Sequence, residues 1–295
     1  MWEIKTLDLG LVLLNESRML YGSEPGKLMH APVQGWLLIG PKHNVLIDTG
    51  FRHPDILKRL GDRAQGVETP VQRVKEQLAL HGLKPADVRY VLHTHLHIDH
   101  AGQTDVFPDT TTAVVNRREL EYAASGLSGP SYPPEDIKHM IDRMHTPGAL
   151  RLLDLELTGG EDVLDGIHCV AAGGHTEGSM VITVDTADGP AVFCGDLIYS
   201  VKHQLQMPRI LDFDPAVSAN AVVSRRAEKA ALKRLLATAP RFKLFPSHDM
   251  PAIIDRGRVV SEVEGEGCGA NGCWCRMTQA GYREEDQSRD QAAHA

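Results

Sequence analysis

The stretch His93-Thr94-His95-Leu96-His97-Ile98-Asp99-His100 decides how the rest of the chain is read, because it crowds four histidines and an aspartate into eight residues. A lone histidine in an apolar context is best read as a structural side chain satisfied by backbone hydrogen bonds. Three histidines and one aspartate in the order His95, His97, Asp99, His100 point instead to metal binding. In extended backbone, residues two apart project to the same side, so His95 and His97 can hold one ion together. Asp99 and His100 follow once the strand has turned and can face a second ion. Leu96 and Ile98 can anchor the loop in the core. His93 lies outside the pattern and reads as structural.

Two ions need more ligands than this stretch supplies. Zinc-type ions take histidine nitrogen and carboxylate oxygen, with a position kept open for water. Three later residues fit, each just past an apolar run: His175 after Gly173-Gly174, Asp196 after Phe193-Cys194-Gly195, and His248 after Phe245-Pro246-Ser247. A donor set of nitrogen and oxygen without sulfur suits two divalent ions such as zinc, and also iron, manganese or cobalt.

Outward from the cluster, a strand over 90–92 runs into it. Upstream, 1–14 alternates as a strand, and 33–39 and 45–47 form two more that end at Asp48-Thr49-Gly50. A helix is expected over 69–81, with Thr69 as cap, Pro70 in its first turn and Gln72 completing a capping box. Val71, Val74 and Leu78 would line its inner face, and Gly82 would end it. Downstream come a strand over 111–115, a helix over 117–124, a Gly/Pro/Ser loop over 126–134, and strands across 161–193 with turns at Asp165-Gly166, Gly173-Gly174 and Asp188-Gly189. A long helix from Asp214-Pro215 to about 239 and a strand over 243–245 complete the pattern. Strands, helices, strands and a helix in that order imply an α/β fold, a four-layer αββα sandwich with one sheet on another and helices outside. Residues 1–260 form that domain. From 261 the composition turns to Gly, Glu, Gln, Arg and Asp, a tail that buries little.

These residues carry a family resemblance over about 30–250. Leu46-Ile47-Asp48-Thr49-Gly50, Thr94-His95-Leu96-His97-Ile98-Asp99-His100-Ala101-Gly102, Gly174-His175-Thr176-Glu177-Gly178-Ser179, Gly195-Asp196 and Ser247-His248-Asp249 resemble the motifs of the metallo-β-lactamase superfamily. The resemblance implies that His95, His97 and His175 bind one metal and Asp99, His100 and His248 the other, with Asp196 bridging. Asp48 would sit close behind the metals or simply cap its turn. Within the superfamily the chain is most similar to the N-acyl homoserine lactone lactonases, the quorum-quenching enzymes. Gly26-Lys27-Leu28 before the first hairpin and Tyr199, three residues after Asp196, carry that likeness. It implies that a hydroxide between the ions opens a lactone or related ester. Tyr199 would contact the substrate carbonyl, and Asp99 would pass a proton to the leaving oxygen. The Gly195-Asp196-Leu197-Ile198 stretch also resembles a phosphotriesterase type, which leaves phosphotriester or other ester hydrolysis as an alternative. A non-hydrolytic di-metal redox or sensing protein is more distant, since no flavodoxin-like extension is present.

Composition bounds the rest. A net charge of -8 argues against a nucleic-acid partner. No run approaches a membrane span, and the alternating start is unlike a secretory signal, so a cytoplasmic enzyme is expected. The five cysteines do not form a disulfide framework. Cys169 and Cys194 sit in apolar runs. Cys268, Cys273 and Cys275 crowd the tail in a spacing that matches no zinc module. His139, His145 and His203 read as surface groups. The segment 126–144, with Tyr132, Pro130, Pro133 and Pro134, is a candidate pocket lid. The expected partner is a small-molecule lactone or ester, and the resemblance leaves a homodimer open.

Overall fold

The computed structural model describes residues 1–20, 23, 26–61, 64–206 and 224–262. Among these residues fourteen strands divide at mid-chain into two seven-stranded sheets. The first contains β1 (Glu3–Asn15), β2 (Leu28–Ile39), β3 (Asn44–Ile47), β4 (Ala64–Val67), β5 (Val88–Leu92), β6 (Thr112–Asn116) and β7 (Leu150–Leu153). Their order is β4-β1-β2-β3-β5-β6-β7, with β3, β5, β6 and β7 mutually parallel and the rest antiparallel. The second contains β8 (Glu161–Leu164), β9 (Ile167–Ala171), β10 (Met180–Thr186), β11 (Gly189–Gly195), β12 (Arg241–Pro246), β13 (Ala252–Asp255) and β14 (Arg258–Glu262) in spatial sequence, antiparallel except for the β11–β12 pair.

Strand alternation builds the layers. On β2, β3, β5, β6, β11 and β12, one set of side chains (Trp36, Leu38, Val45, Ile47, Leu92, Val114, Phe193, Phe245) points between the sheets and forms a single buried core. Trp36 packs on Phe193 with ring centroids 5.1 Å apart. The alternate residues face outward and are covered by helices. Leu37, Leu46 and Val91 meet Val74 and Leu78 of a helix. Val192, Cys194, Leu244 and Ile254 meet Ala231, Leu232 and Leu235 of another. Both faces of both sheets are therefore buried, which is why these strands read as nearly continuous apolar runs. Four layers result, as expected.

Among the described residues there are six α-helices, none longer than twelve residues: α1 (Glu16–Met19), α2 (Val74–Leu80), α3 (Arg117–Ala123), α4 (Pro134–Asp142), α5 (Leu155–Thr158) and α6 (Arg225–Leu236). The expected helix over 69–81 is broken. A single 3-10 turn, Pro70–Gln72, precedes Arg73, whose extended ψ of 139° separates it from α2. Gln72 does bond back to Thr69 N at 2.8 Å, but its amide nitrogen reaches Asp8 on β1 at 2.9 Å. The break turns Val71 outward, half-exposed, while Val74 and Leu78 are buried as expected. Half of the 126–144 segment is α4 rather than loop. The short strands β4, β13 and β14 carried no clear signal; β14 ends at Glu262. The start of the helix expected from Asp214, and the cysteines of the tail, lie outside the described residues. No helix among the described residues is long and apolar enough to cross a membrane.

Candidate metal centre

Parallel pairing of β3 with β5 and of β11 with β12 puts the C-terminal ends of these strands on one rim of the sandwich. Every candidate ligand follows a strand end there. β5 stops at Leu92, so His95 and His97 stand on irregular backbone rather than on an extended strand. That loop is pinned instead by its own apolar residues and by its neighbours. Leu96 and Ile98 are buried, Ile98 N donates to Ser131 O at 2.8 Å, and Met180 N of the opposite sheet donates to Thr94 O at 2.8 Å. Gly102 closes it: its N–H bonds Gly50 O at 2.8 Å, and a Cβ there would lie 2.1 Å from Arg52 N.

All seven candidate ligands meet. His175 Nε2 lies 3.0 Å from both His95 Nε2 and His97 Nδ1. Asp99, His100 and His248 form a second group, and His95, His100 and Asp196 a third between them. Asp196 reaches both sides, with Oδ1 3.1 Å from His100 Nε2 and Oδ2 3.2 Å from His248 Nε2, 3.7 Å from His175 and 3.9 Å from His95. A ring nitrogen carries either one lone pair or one hydrogen. His175 Nε2 can therefore satisfy only one of its two 3.0 Å neighbours by hydrogen bonding, whereas a cation among the three would satisfy every lone pair. His100 Nε2 and Asp196 Oδ1 are likewise buried with no aligned hydrogen-bond partner. The residues present fit a pair of cations bound by nitrogen and oxygen.

The electrostatics divide the rings. Burial and neighbouring histidines hold His95 and His97 well below the usual imidazole range. Burial lowers His175 to about 4. These three are neutral and ready to donate lone pairs. At His100 and His248 burial also opposes charge, but Asp196 and Asp99, and for His100 also Asp48, outweigh it and raise both. The same contacts hold Asp196 well below the usual carboxylate range despite its burial.

Behind the ligands stand residues that aim them. Asp48, in left-handed backbone at φ 57°, accepts from Thr94 N at 2.9 Å and Thr94 Oγ1 at 2.7 Å and lies 2.9 Å from His100 Nδ1. It supports a candidate ligand rather than only capping a turn. His248 Nδ1 is 2.7 Å from Pro32 O. Gln34 donates from Nε2 to the carbonyls of Pro246, Ser247 and Asp249. His93 points away, its Nε2 on Thr104 Oγ1 at 3.0 Å. Tyr199 is fully buried, stacked on His248 and 3.2 Å from His175 Nδ1 through its hydroxyl. Gln204 and Asp249 fix its loop by accepting from Tyr199 N and Val201 N.

A cavity of about 460 Å³ opens over the centre. His97, Asp99, Asp196, Tyr199 and His248 form its polar floor; Val12, Leu14, Met19, Leu57 and Leu60 form apolar walls, with exposed Arg18 among them. Of the expected lid, Pro130 and Ser131 line this space. Tyr132 instead packs its ring 4.7 Å from His97. Glu119, Gln34 and Arg18 gave no sequence signal: a glutamate in a short charged helix and a glutamine in a strand look like surface residues.

Ligands on strand ends at one rim of an αββα sandwich define a metal-dependent hydrolase architecture. Residues 31–248 match the model of the metallo-beta-lactamase superfamily, and the chain belongs to it. An N-acyl homoserine lactonase from Bacillus thuringiensis is 26% identical over 222 residues, 72% of this chain and 82% of that protein. The lactonase AttM from Azorhizobium caulinodans is 32% identical over 184 residues, 58% of this chain and 67% of that one. A solved N-acyl homoserine lactone hydrolase with the product N-hexanoyl-L-homoserine at its catalytic metal centre superimposes with a TM-score of 0.66 at 23% identity, covering 83% of this chain and 92% of the other.

Proposed function

We propose that this chain is a dinuclear-metal-dependent lactonase that opens N-acyl homoserine lactones or a closely related ring. The observation that carries this reading is one cavity with two chemistries: its floor is Tyr199 and four of the seven converging ligand candidates, His97, Asp99, Asp196 and His248, and its walls are aliphatic. The relatives named above act on such lactones. His95, His97 and His175 would hold one ion, Asp99, His100 and His248 the other, with Asp196 shared, and zinc suits the nitrogen and oxygen donors. Bound there, two divalent cations supply a water of lowered pKa and a Lewis acid for the carbonyl.

The chain's own groups do the rest. The apolar walls seat the acyl arm and exclude water from it. Tyr199 donates toward the carbonyl oxygen as negative charge builds there. Asp99, the most exposed of the candidate ligands that line the cavity, carries the proton given up by the attacking water to the ring oxygen as the carbon–oxygen bond breaks. The product is a hydroxy acid, and no serine or cysteine nucleophile takes part. We place this reaction in the cytoplasm, in the domain spanning 1–260.

The test is proton release by the metal-replete protein on lactones with and without acyl-homoserine side chains, beside phosphotriesters and a chelator-treated sample. Rapid, chelator-sensitive lactone opening is expected. Rapid triester cleavage with lactone rates no better than the metal-stripped control would overturn the reading.

A further inference from the structure

We propose that Glu119 is the positioning residue for one half of the centre, so that the two metal positions stand on separate supports and can be emptied separately. The proposal rests on the metal reading above and deepens it. Glu119 is the third residue of α3 and is fully buried. Burial pushes its carboxyl upward, against the hydrogen bonds it accepts. Oε1 accepts from Leu96 N at 2.9 Å and Tyr132 Oη at 3.0 Å. Oε2 accepts from Thr176 Oγ1 at 2.7 Å and Gly178 N at 3.2 Å. Leu96 lies between His95 and His97, Thr176 follows His175, and the Tyr132 ring packs on His97. One carboxylate thus ties together both loops that supply the His95, His97 and His175 group.

Two further features show that the approach is built in. A Cβ at Gly178 would lie 2.0 Å from Glu119 N and 2.4 Å from its Cα, so the His175 loop can reach α3 only because glycine stands there. Among the described residues, no other side chain accepts hydrogen bonds from backbone N–H groups of both loops. The other group hangs elsewhere: His100 on Asp48, and His248 on the Pro32 carbonyl. His95 is shared, since its Nδ1 lies 3.1 Å from Thr94 Oγ1, which Asp48 also holds.

Glutamine is an informative replacement because it keeps the volume. Each oxygen of Glu119 takes one backbone N–H, from Leu96 and from Gly178. An amide keeps one oxygen and turns its NH2 on the other backbone donor, whichever way it flips. Glu119→Gln must therefore release one of the two loops.

The experiment titrates cobalt(II) into the metal-free wild type and variants, in competition with a chromophoric chelator, while following the cobalt absorption band. Wild type is expected to take up two ions. In Glu119→Gln one ion is expected to weaken by about 10- to 100-fold, the usual effect of losing a group that orients a metal ligand. The other is expected to keep its affinity, so that one cobalt remains bound where wild type holds two. Tyr132→Phe and Thr176→Val each remove one donor to Glu119 and leave both backbone contacts. They should shift the same ion by less, and they decide the matter if Glu119→Gln fails to fold. Weakening of both ions together, or of neither, in the variants that fold would overturn the proposal. A wild type that takes up no cobalt would overturn the metal reading beneath it and the proposal with it.

Discussion

Replacing Tyr199 by phenylalanine removes one oxygen and leaves the ring, which lies parallel to His248 at 5.5 Å and 9°. Two effects of different size follow, and they can be separated. When His175 aims the Nε2 lone pair at the centre, its Nδ1 carries the hydrogen, and the tyrosine oxygen 3.2 Å away accepts it. Without that oxygen a buried N–H loses its acceptor, at a cost of about 1–3 kcal/mol. That cost is equivalent to roughly 5- to 150-fold weaker hold on the ion His175 serves, and excess metal restores it. The tyrosine also keeps a hydrogen of its own to give a carbonyl oxygen. Losing one such donor to a developing oxyanion lowers kcat by roughly 100- to 1,000-fold, or about 2.7–4 kcal/mol, and no amount of metal restores it. The assay is kcat on an N-acyl homoserine lactone at rising zinc concentration, with bound metal measured in parallel. Tyr199→Phe should fill with metal at higher zinc and stay slow. A variant whose kcat at full occupancy returns to within about twofold of wild type would confine Tyr199 to orienting His175 and refute the contact with substrate.

Gly178→Ala should cost about 1–3 kcal/mol or more by overpacking, since its Cβ would lie 2.0 Å from Glu119 N; the urea midpoint measures this. The metal-free protein should lose stability as pH falls from 6.5 toward 4. His175, held near 4 by burial, and the similarly lowered His95 and His97 stay neutral when folded but take up protons when unfolded. The raised His100 and His248 contribute fully throughout that window and weaken only as pH rises through their own values, so they do not offset the loss. Urea midpoints between pH 4 and 7.5 in the presence of chelator would show it; a flat profile would contradict it. Arg18→Met should favour unsubstituted acyl chains over chains carrying a carboxylate by about two- to fivefold in kcat/KM, the size of an exposed ion pair.

The parts legible in sequence are those where one residue type carries the message locally. The spacing of His95, His97, Asp99 and His100 and the placement of His175, Asp196 and His248 after apolar runs pointed to one centre, because strand ends on one rim must converge once two sheets pack. The order of strands, helices, strands and a helix gave the layers, because the near-continuous apolar runs of strands such as β2 and β11 need cover on both faces. What stayed hidden depends on distant partners. Val71 fits a helical face until Gln72 is drawn to Asp8 and the helix breaks at Arg73. Glu119 looks like one more charge in Arg117-Arg118-Glu119 until the Gly178 loop arrives to bury it. Strand β14 at one sheet edge and β13 beside it are short and only partly buried, so their pairing is set by the neighbouring strand rather than by their own pattern.

The centre also depends on the sheets being joined. The cluster loop and Asp48 come from the first sheet, and His175, Asp196 and His248 from the second. The contacts that aim them cross the interface. Gln34 of β2 clamps the turn after β12, Pro32 O faces His248, and Met180 of β10 bonds Thr94. Each half alone holds an incomplete ligand set, so neither can bind the ions as the assembled pair would. Bound ions would therefore stabilise the packed sandwich over any state with the sheets apart. The same ligands that serve the chemistry would act as a latch between the two halves of the fold. Raising zinc should then lift the midpoint of a single cooperative unfolding transition, monitored by the fluorescence of Trp36 between the sheets in a Trp2→Phe, Trp274→Phe background. A zinc effect confined to a local transition that leaves Trp36 buried would show that the halves stay packed without the site.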